Sequence, residues 1–147
     1  MAIKEYSLTK NGNKSLAPAF KVREFRCRDG SDTIMVDEAL KAYEALQAEG
    51  ISVRVIDMFT WKPLDEELVV KAAKETGAIV TAENHNVTCG LGSVVANCLA
   101  KNCPTIQEFV GVQDQFGQVG PQDFLMDEYG LRAANIVSAV KKAISRK

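Results

Sequence analysis

The stretch ISVRVIDMFTWKPLDEELVVKAAKETGAIVTA, residues 51–82, decides the fold. Ile51, Val53, Val55 and Ile56 form a short strand that is apolar on both faces, the pattern of a strand buried between helices in a parallel sheet. Asp65 then predicts a helix start. Its carboxylate can accept the orphan N–H groups of the first turn, while Leu64 and Val69 sit where a hydrophobic staple closes. The helix is expected to run to about Thr76 and to end at Gly77. Ala78-Ile79-Val80-Thr81-Ala82 reads as a second buried strand, reached from the first through one helix, so the two are expected to form a right-handed parallel crossover unit.

Working toward the N-terminus, Val36, Ala39, Leu40, Tyr43 and Leu46 mark one face of a helix, with Gly50 as its stop. Residues 1–30 read as an irregular arm or linker, with turn residues at Asn11-Gly12-Asn13-Lys14-Ser15 and a helix breaker at Ala17-Pro18. Within that arm Phe20-Lys21-Val22 alternates and, with Phe25, predicts a short strand. Toward the C-terminus, Ser93 to about Leu99 makes a helix with Val94, Val95, Cys98 and Leu99 inward, and Pro104 precedes a strand over 106–112. A loop over 113–120 leads to Pro121, expected at the first helical position of a short helix that reaches Tyr129 and stops at Gly130. Ile136, Val137, Val140 and Ile144 stripe a last helix, with Lys141, Lys142, Arg146 and Lys147 at its C-terminal end, where they suit the dipole. Strands alternating with helices predict a three-layer α/β/α domain with a mostly parallel sheet over 31–147.

Composition limits what such a domain does. The chain has 147 residues, 46% hydrophobic and 25% charged, which suits one folded domain and neither a disordered nor a fibrous chain. Eighteen basic residues against 19 acidic ones give a net charge of -1, so no basic footprint for nucleic acid is present. No apolar run approaches the ~20 residues of a membrane span. Lys4, Lys10 and Lys14 are followed by no apolar core, so no secretory leader is expected, the location is read as cytoplasmic, and Cys27, Cys89, Cys98 and Cys103 are read as reduced thiols. Cys98 and Cys103 lack the spacing of a metal pair.

In this architecture ligands sit beyond the carboxyl ends of the strands, here Asp57-Met58-Phe59-Thr60, Glu83-Asn84-His85-Asn86 and Gly111-Val112-Gln113-Asp114. The densest group of polar residues is Glu83 to Ser93. The residues singled out as an interface or strand-edge polar cluster are Asp57, Glu83, His85, Asn86, Gly90, Gly92, Ser93 and Asp114. Several readings stay open for them. The glycine turn and helix start offer N–H groups to a small anion, though the spacing matches neither G-x-G-x-x-G nor the P-loop. Glu83 and His85 are either an acid–base pair or structural and interface groups. Cys89 beside the histidine reads as a nucleophile without a fixed Asn or Asp to complete it, and Asp57 as a strand-end carboxylate answering Lys62 or Arg54. No complete catalytic set emerges, and no catalytic, cofactor-binding or metal residue is assigned.

The run from Val53 through Val55-Ile56-Asp57 to Thr60-Trp61-Lys62-Pro63-Leu64-Asp65 resembles the C-terminal domain of transketolases. The resemblance continues through Glu75-Thr76-Gly77, Thr81-Ala82-Glu83-Asn84-His85-Asn86, Gly90-Leu91-Gly92-Ser93, Gly111-Val112 with Asp114 and Phe116-Gly117, and Tyr129-Gly130-Leu131 before Asn135-Ile136-Val137. Related domains occur in deoxyxylulose-phosphate synthases and in 2-oxoacid dehydrogenase β chains, which stand as alternatives beside a free-standing small-anion module. The resemblance implies an enzyme of the pentose phosphate pathway that moves a two-carbon ketol unit between sugar phosphates on thiamine diphosphate. In that family one domain holds the diphosphate through Mg²⁺ with a Gly-Asp-Gly…Asn motif, and a second supplies the activating glutamate. No Gly-Asp-Gly occurs here, and Asp29-Gly30-Ser31 lacks the leading glycine. The implied role is therefore a scaffold that supports the dimer, with a regulatory site as a further expectation. This chain is expected to bind no cofactor and perform no catalysis alone; its implied partners are the cofactor-binding domains or subunit and a second copy of itself.

Three departures from the family's pattern carry expectations. Gly30-Ser31-Asp32-Thr33-Ile34 runs straight into the first helix where the family has a full strand and an Ala-Thr-Gly turn, so the first strand is expected to be shortened or missing, and with it any pocket at its carboxyl end. Arg132 stands where a capping Thr is usual, which would weaken the last helix by ~1 kcal/mol. Val119 replaces a usual Ser before Gly120 and would lose a polar contact.

Overall fold

The computed structural model describes Ala19–Lys21 and residues 34–147. The order is β1 (Ala19–Lys21), α1 (Ile34–Ala48), β2 (Arg54–Ile56), α2 (Glu66–Thr76), β3 (Ala78–Asn86), α3 (Leu91–Asn102), β4 (Ile106–Val112), α4 (Gln122–Glu128) and α5 (Ala133–Ser145). Cys27 and Phe25 lie outside the described residues, as does the Gly30 to Thr33 junction.

Every strand pairing is parallel: β1 with β2, Ala19 opposite Arg54 and Lys21 opposite Ile56, and β3 with β4 from Ala78 opposite Ile106 onward. The strands β2 and β3, joined through α2, are not direct neighbours. Instead β1 is hydrogen-bonded to β2 and also approaches β3, so residues 19–21 of the arm sit between the two. The predicted short strand at Phe20-Lys21-Val22 is thus met one residue earlier, and it has only three residues.

The period-two alternation of β3 separates two cores, because successive side chains of a strand point to opposite faces. Ala78 and Val80 face α1 and α5, where Met35, Ala39, Ala42, Leu46, Val110, Ile136, Val140 and Ala143 close around them. Ile79 faces α2 and α3 and meets Val69, Ala72, Ala73, Val95, Cys98 and Leu99. Leu46 and Val140 are fully buried, each gaining about 1.5–3 kcal/mol over exposure. Helices on both faces of a parallel sheet give the three layers that the sequence predicts.

The helix α2 forms as its sequence specifies. Asp65 Oδ1 accepts the Leu68 N–H at 2.9 Å, and Leu64 packs into the core that contains Val69. Gly77 ends the helix at φ 70, a left-handed conformation that glycine adopts without a Cβ penalty, and its N–H donates to Ala73 O at 2.7 Å. The turn between β2 and α2 carries a cis Lys62–Pro63 bond and an isolated bridge between Trp61 and Leu64.

Several boundaries differ from expectation: β2 is only Arg54–Ile56, and Pro121 is the N-cap of α4 and not its first helical residue. The strand β3 extends through Asn86, because Asn86 still pairs with Val112; between Ala82 and Asn86 four residue steps oppose the two from Val110 to Val112, an irregularity of the β-bulge kind. The helix α3 starts at Leu91 instead of Ser93 and reaches Asn102, since its first N–H groups find a partner that the local sequence does not reveal.

Candidate functional site

Glu83 sits inside the bulged segment on the α3 side of β3, in phase with Ile79 and Thr81. Its carboxylate is held by both oxygens: Oε2 accepts the Leu91 N–H at 2.8 Å and Oε1 the Gly92 N–H at 2.9 Å. Only 9% of the residue is exposed. A buried anion on the N–H groups of a helix start is stabilised by hydrogen bonds and by the helix dipole together. Gly90, the N-cap, supplies no capping side chain. Its need for hydrogen at Cα is spatial: a Cβ there would overlap Glu83 Oε2 and lie 2.7 Å from Asn86 O. Gly92 likewise lets α3 approach the sheet, since a Cβ would come within 2.5 Å of the Phe109 ring and 2.9 Å of Thr81 Oγ1.

This arrangement answers two of the open readings. The seat for a small anion at the start of α3 is taken by the protein's own carboxylate, and an incoming oxyanion would have to displace it or face its charge. Glu83 and His85 do not form an acid–base pair either. The first is buried against α3, whereas His85 is exposed with Nδ1 3.1 Å from Asn86 O.

The remaining polar residues hold the loop to the sheet. Asn86 Oδ1 accepts the Thr88 N–H at 2.7 Å, and Asn86 Nδ2 donates to Asp114 Oδ1 at 3.3 Å, which ties the ends of β3 and β4 together. Ser93 Oγ accepts the Cys89 N–H at 2.9 Å and donates to Val87 O at 3.0 Å. Cys89 takes a left-handed φ of 64 and is exposed. Burial pushes the Cys98 thiol up, away from thiolate chemistry. Among the described residues no group of three His, Cys, Asp or Glu is placed to hold a metal ion.

Asp57 meets this cluster through Glu83: both line a cavity of about 270 Å³, with Met35, Val55, Met58, Ile79 and Leu91 among its other walls. The cavity lies between the end of β2 and β3 and has mostly apolar walls. Arg54, one of the expected partners of Asp57, forms an ion pair with Glu75.

Sequence reasoning missed two buried glutamates. Glu38 on α1 accepts the Ala133 N–H at 2.6 Å with Oε2, while Oε1 accepts from Lys41 at 3.0 Å. Asn135 Oδ1 accepts the Arg132 N–H at 3.2 Å. The start of α5 is thus capped from a distance, and the weakening expected from Arg132 is offset. Arg132 itself bridges to Asp127 at 2.7 Å and Asp123 at 3.1 Å, and holds the Asp127 carboxyl below its usual range. The stripe expected at Val36, Leu40 and Tyr43 is turned from the face α1 actually buries, Met35, Glu38, Ala39, Ala42 and Leu46, and Leu40 is exposed, which is why Glu38 was missed. Glu108 on β4 is the second, joined to Lys142 at 2.8 Å and to Arg146. Burial opposes its ionisation most strongly, but the hydrogen bonds and charges of Lys142 and Arg146 together outweigh that and hold the carboxyl below its usual range. With Lys141 on Glu49 at 2.7 Å and Lys147 donating to Thr76 O, the basic end of α5 is committed to its own fold. No described helix is long and apolar enough to cross a membrane.

Comparison with known proteins places this geometry. The family described as "Transketolase, C-terminal domain" matches residues 33–136. The 6-deoxy-6-sulfo-D-fructose transketolase subunit SqwH of Clostridium sp. strain MSTE9 is 48% identical over 126 residues, which cover 82% of this chain and 39% of that subunit. The 1-deoxy-D-xylulose-5-phosphate synthase of Heliobacterium modesticaldum is 36% identical over 78% of this chain and 19% of its own length. A solved structure described as "Split gene transketolase, inactive beta4 tetramer" superposes with a TM-score of 0.73 at 50% identity, covering 76% of this chain and 37% of that one. This chain thus spans well under half the length of these relatives. With the fold, the strand-end residues and the family match in agreement, the chain belongs to the transketolase C-terminal domain family.

Proposed function

We propose that this chain is the scaffold and dimer-supporting part of a transketolase that moves a two-carbon ketol unit between sugar phosphates, with the chemistry carried by domains outside it. The observation that carries this reading is the state of the strand-edge cluster. Glu83, Asn86 and Ser93 spend their side-chain polar atoms on the fold itself, and Asp114 accepts from Asn86. Residues so engaged position a rigid surface and are poor candidates to turn over a substrate.

Thiamine diphosphate, with Mg²⁺, supplies the carbanion-stabilising chemistry in transketolases when bound. The residues of this chain do not fit it: the helix start that would receive a diphosphate already holds Glu83, and the sequence has no Gly-Asp-Gly. The cofactor is assigned to the partner domains or subunit. Calorimetric titration of the purified chain with thiamine diphosphate and Mg²⁺ tests this, beside an assay of ketol transfer between sugar phosphates. The expected results are no saturable heat and no turnover; either one observed would overturn the assignment.

Self-association belongs to the same reading, supported by the β4 assembly named for the solved relative and by the exposed Phe59 and Trp61. Sedimentation of the isolated chain is expected to show species larger than a monomer. The cytoplasm is the proposed location. The synthase relative keeps deoxyxylulose-phosphate chemistry as the second reading for the complete enzyme.

A further inference from the structure

We infer that the loop over 113–120 is the docking anchor through which this chain meets the rest of the transketolase, with Phe116 and Val119 as its anchoring side chains. The inference rests on the reading above that the complete enzyme has parts outside this chain. Phe116 and Val119 are the most exposed large apolar residues of the described chain, at 99% and 103%, and Phe124, whose ring lies against Gly120, is 46% exposed.

Exposure alone is common; what sets this loop apart is that its shape is fixed. Tyr129 Oη accepts the Gln118 N–H at 2.6 Å and donates to Phe116 O at 3.3 Å. Gln118 Nε2 donates to Glu128 Oε1 at 2.8 Å, and Asp114 is held by Asn86 at 3.3 Å. One phenol thus grips the backbone on both sides of Gly117, and the two apolar side chains stand in water on a loop shaped in advance. Order of that kind reduces the entropy cost of binding.

The size of the patch selects the occupant. A fully exposed Phe offers on the order of 200 Å² of surface, whereas a specific interface buries about 800 Å² on each partner. Two or three side chains are too few for a dimer of this chain built on the patch alone, but they suit the few anchors that carry most of the energy of a larger interface. The larger interface available is with the remaining part of the enzyme, because the relatives extend far beyond the matched region: this chain covers 39% of SqwH and 37% of the solved split-gene chain. The partner surface is therefore an apolar pocket on the cofactor-bearing portion. The loop contributes no basic side chain, so the recognition is apolar rather than ionic.

The test uses this complete chain in place of the matched region of SqwH, in the assembled enzyme of which SqwH is a subunit. The parent chimera is expected to assemble and turn over, and hydrogen exchange of residues 115–120 to slow about ten-fold relative to the free chain. Phe116→Ser and Val119→Ser are expected to abolish that protection and to lower activity at least about ten-fold, while the free variants melt within a degree or so of the parent, as exposed substitutions do. Variants that keep both protection and activity would falsify the anchor and leave the scaffold reading intact. A parent chimera that neither assembles nor turns over overturns both. Loss of self-association of the free chain by Phe116→Ser, with the chimera unaffected, would assign the patch to a second copy and overturn the inference.

Discussion

The helices α2 and α3 each follow a strand, β2 and β3 in turn, yet they solve the same problem in opposite ways. Both have free N–H groups in the first turn. The start of α2 is capped by the residue next to it, Asp65, an exposed side chain reaching Leu68 N at 2.9 Å. The start of α3 has glycine at the N-cap and takes its acceptor from Glu83, eight residues before Leu91 and buried in the sheet. The start of α5 extends the second solution: Glu38 is separated from Ala133 by 95 positions. A local cap stabilises one helix, whereas a remote cap also fixes how the helix sits on the sheet, so the two kinds should fail differently.

The largest effect is expected at Glu83. Glu83→Ala removes the acceptor for two N–H groups and leaves them with a cavity, and hydrogen bonds to charged groups are worth about 1.5–3 kcal/mol each. A loss of about 3–4 kcal/mol in urea unfolding at neutral pH follows, with faster amide exchange across the first turn of α3. A variant within about 1 kcal/mol of the parent would show that water replaces the carboxylate and that the contrast with α2 is empty.

Next in size is Glu38→Ala, expected to cost about 2 kcal/mol because one charge-assisted bond to Ala133 and the contact with Lys41 are lost. The informative readout is where exchange accelerates. Faster exchange at the start of α5, far along the chain from the substitution, marks a remote cap, while acceleration confined to α1 would break the parallel with Glu83.

The same contrast explains what was legible in the sequence. Asp65 with Leu64, Val69 and Gly77 could be read because a helix end of that type is written within a dozen residues, and the mostly apolar run of Ala78 to Ala82 marked a buried strand. The glycines at 90 and 92 drew attention to the α3 start, but their spacing could not say that the anion there is Glu83, because that depends on how α3 lies over β3. The place of β1 beside β2 was hidden as well, since a three-residue strand carries too little periodicity to assert its neighbours. Glu38 lay off the stripe marked by Val36, Leu40 and Tyr43, and Glu108 lay on a strand to which no buried face was assigned. Reading them needed the position of α5, which no local pattern supplies.

Glu108 gives the pH dependence of the remote contacts. Its carboxyl is held below the ordinary value of 4.5 in the folded chain by Lys142 and Arg146, against the opposing effect of burial. A group lowered on folding binds fewer protons in the folded than in the unfolded state between the two values, so stability rises with pH there. Its contribution is therefore complete above about pH 4.5 and is lost as the pH falls through the lower folded value. Unfolding curves of the parent and Glu108→Gln, taken between pH 7 and acid, are expected to be farthest apart at neutral pH and to converge below pH 4.5. A constant separation would mean that the Lys142 and Arg146 contacts contribute by packing and not by charge.

The smallest expected effect is at Asp65, and it bears most directly on the difference between the two caps. Asp65→Ala should cost about 1 kcal/mol, the usual worth of an N-cap, and Asp65→Ser or Asp65→Asn should recover most of it, because any short side-chain acceptor can reach Leu68 N from that position. Glu83 allows no such exchange. Glu83→Asp draws the carboxylate back by a methylene and cannot hold both Leu91 and Gly92, and Glu83→Gln puts an N–H₂ where one acceptor is needed. Rescue at 65 with no rescue at 83 by the corresponding conservative variants is the expected pattern in thermal unfolding. Equal rescue at both sites would show that the α3 start accepts whatever polar group is nearby, and that the buried carboxylate is a tolerant cap like its exposed counterpart.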